Sequence, residues 1–136
     1  MNVGVRPLKL IVRSPDLPRD AYFWAEGFTC DPRLITDTLG LIPSAGGPAG
    51  SWRIHSQVND PAAPLDAHIA NLLDLVEPRL PALREIVKPL ETGINCVAYF
   101  EAHQGNGFHL SADLLRRLAD YGLTVDFDLY DTNPDS

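Results

Sequence analysis

The chain has 136 residues, of which 45% are hydrophobic and 21% are charged. This length and apolar fraction predict a single folded domain over residues 1–136 and exclude a disordered chain. The formal net charge of -7 argues against binding to nucleic acid, whose phosphates attract clustered cations. Because no apolar run approaches the roughly 20 residues that span a bilayer, we expect no membrane association. A cytoplasmic protein with reduced cysteines is the resulting expectation.

The first half of the chain shows strand and helix signals in alternation. We expect residues 1–20 to form an N-terminal arm, with an added strand as one alternative. Aromatic residues over 21–28 predict a strand. Asp31 and Pro32 then suit the start of a helix over 32–39, and Gly40 suits its left-handed C-terminal cap. After a glycine-rich loop, alternating residues predict a second strand over 52–56.

A long helical pattern occupies the middle of the chain. Apolar residues recur at helical spacing from Leu65 to Leu90. Pro78 and Pro81 lie inside this run, and proline removes a helical hydrogen bond. We therefore expect a break near 77–80.

The second half repeats the strand and helix signals of the first. A third strand is predicted over 94–101, followed by a turn over 104–107. Ser111 and Gly122 suit the two ends of a helix, a fourth strand follows over 123–130, and 131–136 form a polar tail. Two strand-helix-strand units predict an α+β fold with a mainly antiparallel four-stranded sheet and helices on one face. This is a ferredoxin-like plan with an extra long helical segment between the halves.

Several segments together suggest a family. They are the aromatic strand with Asp31-Pro32, the stretch Leu39-Gly40-Leu41, the pair Trp52 and Ile54, and the run Gly107-Phe108-His109-Leu110-Ser111. In their order and spacing they resemble the bacterial domain of unknown function 4279. The resemblance implies no established chemistry. By analogy of size and charge, small acidic domains of this kind resemble immunity proteins encoded beside bacterial toxins.

Patterns typical of catalysis and metal binding are sparse. His103 and His109 flank the predicted turn, but two histidines alone hold a metal poorly, so we expect neither a metal nor another cofactor. The sequence has no nucleophile elbow and no phosphate-binding loop. Catalytic residues are therefore not assigned.

Strand alternation predicts an apolar and a polar side of the sheet. If Phe23, Trp52, Cys96 and Phe127 point toward the helices, their neighbours point away from them. An antiparallel sheet can leave that second side in water. The predicted partner-binding residues are Tyr22, Trp24, Glu26, Arg53, His55, Tyr99, Glu101, Asp126, Asp128 and Tyr130.

This aromatic and acidic composition predicts a protein partner. Tyr and Trp anchor interfaces, and carboxylates steer a basic partner, so we expect an immunity protein that neutralises a basic toxin domain by occlusion. One alternative is a small-molecule binder or hydrolase with a site near His55. Another is a structural homodimer, so both monomer and homodimer stay open. The simplest interpretation is that this side of the sheet binds no partner. Its side chains then only stabilise the sheet through cross-strand pairs, or residues 8–12 cover them.

Overall fold

A computed structural model describes residues 19–44, 49–100 and 108–131, without the side chains of Phe100 and Asp131. The predicted arm before Arg19, the turn over 104–107 and the tail from 132 lie outside the described residues. The elements in chain order are β1 (Arg19–Glu26), α1 (Pro32–Leu39), β2 (Trp52–His55), α2 (Leu65–Val76), α3 (Leu80–Ile86), β3 (Glu91–Phe100), α4 (Ala112–Asp120) and β4 (Thr124–Asp131).

Helix α1 begins and ends at its predicted signals. The Asp31 carboxylate accepts a hydrogen bond from the Arg33 backbone amide at 2.9 Å, and Pro32 occupies the first turn. Gly40 has a φ of 68°, a left-handed conformation that glycine adopts at little cost. In α4 the Ser111 hydroxyl accepts in the same way from the Leu114 amide at 3.1 Å. Both predicted helices are confirmed.

The long helical segment is broken, as predicted. α2 ends at Val76, and α3 begins at Leu80 with Pro81 in its first turn. A proline in that position has no amide hydrogen to leave unpaired, so it starts a new helix instead of continuing the old one.

The sheet has the strand order β2-β1-β3-β4. β1 pairs antiparallel with both β2 and β3, whereas β3 pairs parallel with β4. The sheet is therefore mixed, and the expectation of a mainly antiparallel sheet is wrong. The physical reason is the connection through α4, which is long enough to return the chain to the end at which β3 begins, as parallel neighbours require. The α+β class is confirmed, while the ferredoxin-like plan stays a prediction.

The strands begin and end at residues other than the predicted ones, because pairing with neighbouring strands determines their ends. β1 runs over 19–26 instead of 21–28, and β3 begins at Glu91 instead of 94. Glu26 and Glu91 lie opposite each other in the antiparallel register, so the last pair of one strand determines the first residue of the other. Gly27, with a φ of 77°, then turns the chain away from the sheet.

The helices cover one side of the sheet. Phe23, Ile54 and Ile94 are fully buried on that side and share a core with Leu72 and Leu73 of α2. Each side chain of this kind stabilises the fold by roughly 1.5–3 kcal/mol through its burial.

The helix layer does not extend to the far edge of the sheet. Phe127 and Leu129 of β4 point to the helix side but are 40% and 47% exposed. α4, the nearest helix in sequence, is held to α2 by Arg117, whose guanidinium donates to Glu77 Oε1 and Asp74 Oδ1 at 2.7 Å each. The helices thus cover the side chains of β1 and β3 on this side of the sheet and leave those of β4 partly exposed to solvent.

Candidate functional site

The second side of the sheet, opposite the helices, carries the predicted partner-binding residues. The register pairs Tyr22 with His55, Trp24 with Arg53, and Tyr99 with Tyr130, and it extends across the sheet through Asn95 and Asp126. Glu101 lies outside the described residues. We call this side the polar face, and its described aromatic, charged and amide residues are Asp20, Tyr22, Trp24, Glu26, Arg53, His55, Glu91, Asn95, Tyr99, Asp126, Asp128 and Tyr130.

In the β1–β2 half of the polar face, the side chains contact one another. The Arg53 guanidinium lies over the Tyr22 ring, 4.4 Å from its centroid. On the same ring, His55 packs at 5.1 Å between centroids. His55 Nδ1 lies 2.7 Å from Asp20 Oδ2. These half-buried side chains hold one another in place, and a cation over a tyrosine ring contributes about 0.5–2 kcal/mol.

Asp20 is a member of this half that the sequence pattern did not single out. The predicted strand starts at residue 21, whereas β1 starts at Arg19, so Asp20 falls within the strand and on the same side as Tyr22. Extending the alternation two residues backward from Tyr22 is the signal that identifies it. Asn95 follows from the same rule, counted from Tyr99.

The β3–β4 half is far more open. The Tyr99 and Tyr130 rings stack at 5.0 Å between centroids with an interplanar angle of 19°. They are 48% and 49% exposed. Beside them, the buried Asn95 amide donates to Asp128 Oδ2 at 3.0 Å. This half therefore presents a stacked ring pair and carboxylates to solvent.

A shallow groove of about 470 Å³ lies at the end of the sheet where β1 ends and β3 begins. Trp24 forms one wall, and its indole lies against Gly93, where any side chain would clash with the ring. Arg84 lines the groove from α3 and donates to the Tyr121 carbonyl oxygen and, at 3.3 Å, to Thr92 Oγ1. The glycine thus lets the largest ring of the polar face approach the backbone of β3 closely.

The polar face is strongly acidic. In its described part, one guanidinium, that of Arg53, stands among five carboxylates, which belong to Asp20, Glu26, Glu91, Asp126 and Asp128. These carboxylates also affect the other side of the sheet. Cys96 points to the helix side, and besides burial, Asp20 and Asp126 raise the pKa of its thiol. Burial raises the pKa of Cys96 to about 12, with smaller contributions from the Asp20 and Asp126 carboxylates.

Among the described residues of the polar face, the side chains placed to exchange a proton with a substrate are those of the His55–Asp20 pair. A carboxylate at Nδ1 orients an imidazole and leaves its other nitrogen to exchange a proton, as in acid–base catalysis. Within the described ranges, no group of three or more His, Cys, Asp or Glu could hold a metal ion. His68, the other histidine near β2, is buried and bonded to the Ser56 hydroxyl at 2.8 Å. None of the described helices is long and apolar enough to cross a membrane.

Comparison with known proteins gives one match. The model of a family described as a domain of unknown function, DUF4279, matches residues 18–132, which include every described residue of the polar face. No curated protein matches the chain, and no solved structure does.

Proposed function

The chain belongs to the DUF4279 family, and from this premise we propose that it is a protein-binding domain that recognises a basic partner through the polar face. The observation that carries the proposal is the open β3–β4 half, where the stacked Tyr99 and Tyr130 rings stand beside Asp126 and Asp128. Half-exposed aromatic rings on a sheet are costly to leave in water, and they are the residues that anchor interfaces.

The charge of the polar face supports a basic partner. Five carboxylates against Arg53 create a negative potential that attracts cationic surfaces and accelerates their encounter, especially at low salt. The same charge opposes nucleic acid and opposes a homodimer formed through two polar faces, since like charges would meet across the interface.

We propose further that the partner is a toxin domain and that the chain is a cytoplasmic immunity protein of bacterial type. Occlusion needs only a complementary surface and no turnover, which fits a face with rings and carboxylates. The two thiols, Cys30 and Cys96, are unpaired with each other, which fits a reducing compartment. A toxin gene directly upstream, whose product arrests growth unless this chain is co-expressed, is the expected genetic context.

The test is capture of the partner from the native cell with the wild-type protein and with Trp24→Ala/Tyr99→Ala. We expect a specific partner with the wild type and its loss with the double variant, and we expect the variant to fail to restore growth against the toxin. A second pair, Tyr99→Ala/Tyr130→Ala, removes only half-exposed rings and so spares the fold.

The matched control is Ile42→Ala/Ile86→Ala. These side chains are 50% and 53% exposed but lie outside the polar face, so the control removes a similar exposed apolar area elsewhere. We expect it to capture the partner normally. Equal recovery by the wild type and by both ring variants, each folded by circular dichroism, would remove the proposal.

The His55–Asp20 pair favours a second candidate, a small-molecule hydrolase. Its 2.7 Å contact orients the imidazole of His55, whose side chain is 32% exposed. Hydrolysis of any of a panel of p-nitrophenyl esters and phosphates, lost in both His55→Gln and Asp20→Asn, would favour this candidate over binding. We expect no such activity from the wild type.

A further inference from the structure

The outer edge of β4 offers backbone hydrogen-bonding groups. β4 stands at the end of the strand order, and in the described part of the chain its single strand neighbour is β3. Alternate amides and carbonyls over Thr124–Asp131 therefore face away from the sheet. An edge of this length is a template for an additional strand.

The side chains along this edge differ between the two sides of the sheet. On the helix side, the exposed Phe127 and Leu129 form an apolar row that Phe108 extends by stacking on Phe127 at 6.0 Å. On the polar side, Asp126 and Asp128 form an acidic row. A strand added here would place its alternate residues against one row or the other, because its own side chains alternate.

The acidic row argues against a second copy of this chain as the occupant. Antiparallel pairing of two β4 strands centred on Phe127 would place Asp126 of each copy opposite Asp128 of the other. Like charges directly opposite each other in a sheet are destabilising. A strand with cations at alternate positions instead pairs its charges with both aspartates and its apolar residues with Phe127 and Leu129.

We propose that β4 accepts an extended segment of the partner, with Lys or Arg alternating with aliphatic residues, as a fifth strand of the sheet. This inference rests on the proposed function and specifies how the basic partner is held. Main-chain hydrogen bonds to the edge provide affinity, and the alternation of charge with apolar surface provides the register.

The probe is the synthetic peptide acetyl-Lys-Val-Arg-Val-Lys-Val-amide, titrated into the full chain. We expect binding with slower hydrogen exchange of alternate β4 amides and no change at β2. A peptide methylated on alternate backbone nitrogens keeps its charges and aliphatic groups but loses the amide hydrogens that pair with the edge. Its binding should be weaker by at least about tenfold.

The matched protein variants are Asp126→Lys/Asp128→Lys at the edge and Asp113→Lys/Asp120→Lys on α4. Both change the net charge equally, but the second pair lies on exposed helix positions outside the sheet. We expect the edge pair to weaken peptide binding by at least about tenfold and the helix pair by about twofold at most.

Equal binding of the methylated and unmethylated peptides would overturn the inference, since attraction would then be electrostatic only. Slow exchange of the outward-facing β4 amides in the peptide-free protein would also overturn it, whether that protection depends on concentration, as for a second copy, or disappears on removal of residues 8–12. A peptide that does not bind, together with partner capture that depends on Trp24 and Tyr99, overturns the strand addition and leaves the proposed function intact.

Discussion

The two halves of the polar face differ in how much their side chains contact one another and how much they are exposed to solvent. In the β1–β2 half, Arg53, Tyr22, His55 and Asp20 form a chain of contacts and are half-buried. In the β3–β4 half, Tyr99 and Tyr130 stack on each other but leave about half of their surface in water. The first half therefore contributes mainly to stability, and the second keeps surface available for a partner. Substitutions that separate stability from binding test this division.

The largest effect is expected in the core where α4 packs on α2. Leu114 of α4 is buried, whereas its neighbour Leu115 is 50% exposed. Leu114→Asp buries an unpaired charge and should lower the free energy of unfolding by about 4 kcal/mol or more, enough to unfold many domains. Leu115→Asp should change it by about 0.5 kcal/mol at most. Urea denaturation of the two variants measures the difference, and equal losses would contradict the buried position of Leu114.

The next effect is a loss of stability at alkaline pH. The pKa of Cys96 is raised from its ordinary value of 9.0 to about 12 in the folded protein. The unfolded chain therefore releases the thiol proton first, and the contribution to stability that is present below pH 9 is lost between pH 9 and 12. The slope from this group is at most about 1.4 kcal/mol per pH unit.

Denaturation across this range with the wild type and Cys96→Ala isolates the thiol from tyrosines and lysines. Asp20 contributes more than Asp126 to the raised pKa of Cys96, so Asp20→Asn should lower it more than Asp126→Asn. This comparison reports which half of the polar face lies electrostatically closer to Cys96. A Cys96→Ala variant with an unchanged alkaline slope would show that the thiol has no role.

A direct comparison of the halves uses two tyrosines. Tyr22→Ala removes the ring that contacts both Arg53 and His55, and should cost about 2 kcal/mol. Tyr130→Ala removes one exposed ring of a stack and should cost about 1 kcal/mol or less. Partner binding should show the reverse order, with Tyr130→Ala the more harmful. If one tyrosine dominates both stability and binding, the division of the face is wrong.

The smallest effect concerns the ion pairs that hold α4 to α2. Arg117 is charged throughout the ordinary pH range, since its hydrogen bonds to Glu77 and Asp74 raise the pKa of the guanidinium further. The Asp74 carboxylate is 70% exposed, whereas the pair with Glu77 is half-buried. Arg117→Ala should lower the free energy of unfolding by about 1 kcal/mol, and the part due to Asp74 should shrink in 1 M salt. Arg117→Lys keeps the charge but not both contacts, so we expect it to recover part of this loss. A loss independent of salt would indicate that the half-buried pair with Glu77 or packing by the arginine stem carries the effect, and not the pair with Asp74.

The helix boundaries and the two sides of the sheet could be predicted because their causes are local. Asp31, Gly40 and Ser111 act within a few residues of their own position. Strand alternation assigns each residue to a side without knowledge of the neighbouring strand. The fold class and most of the polar face followed from these short-range rules. The role of the face as a binding surface stays a prediction.

The strand ends and the contacts within the face could not be obtained in this way. Asp20 was missed because β1 extends back to Arg19 to pair with Ala98, a residue far along the chain. The hydrogen bond between Asp20 and His55 likewise joins positions 35 residues apart. Such pairs depend on which strands become neighbours, which no local pattern contains.

The sequence by itself determined where the helices begin and end, where prolines divide the middle segment, and which side chains share a side of the sheet. Only the tertiary structure decided that β3 and β4 run parallel, that the Arg53 and His55 half is closed, and that β4 is an open edge. The reason is that caps and alternation follow from the geometry of a few consecutive residues. Strand order and exposure depend on hydrogen bonds and packing between distant segments, which form only when the whole sheet assembles.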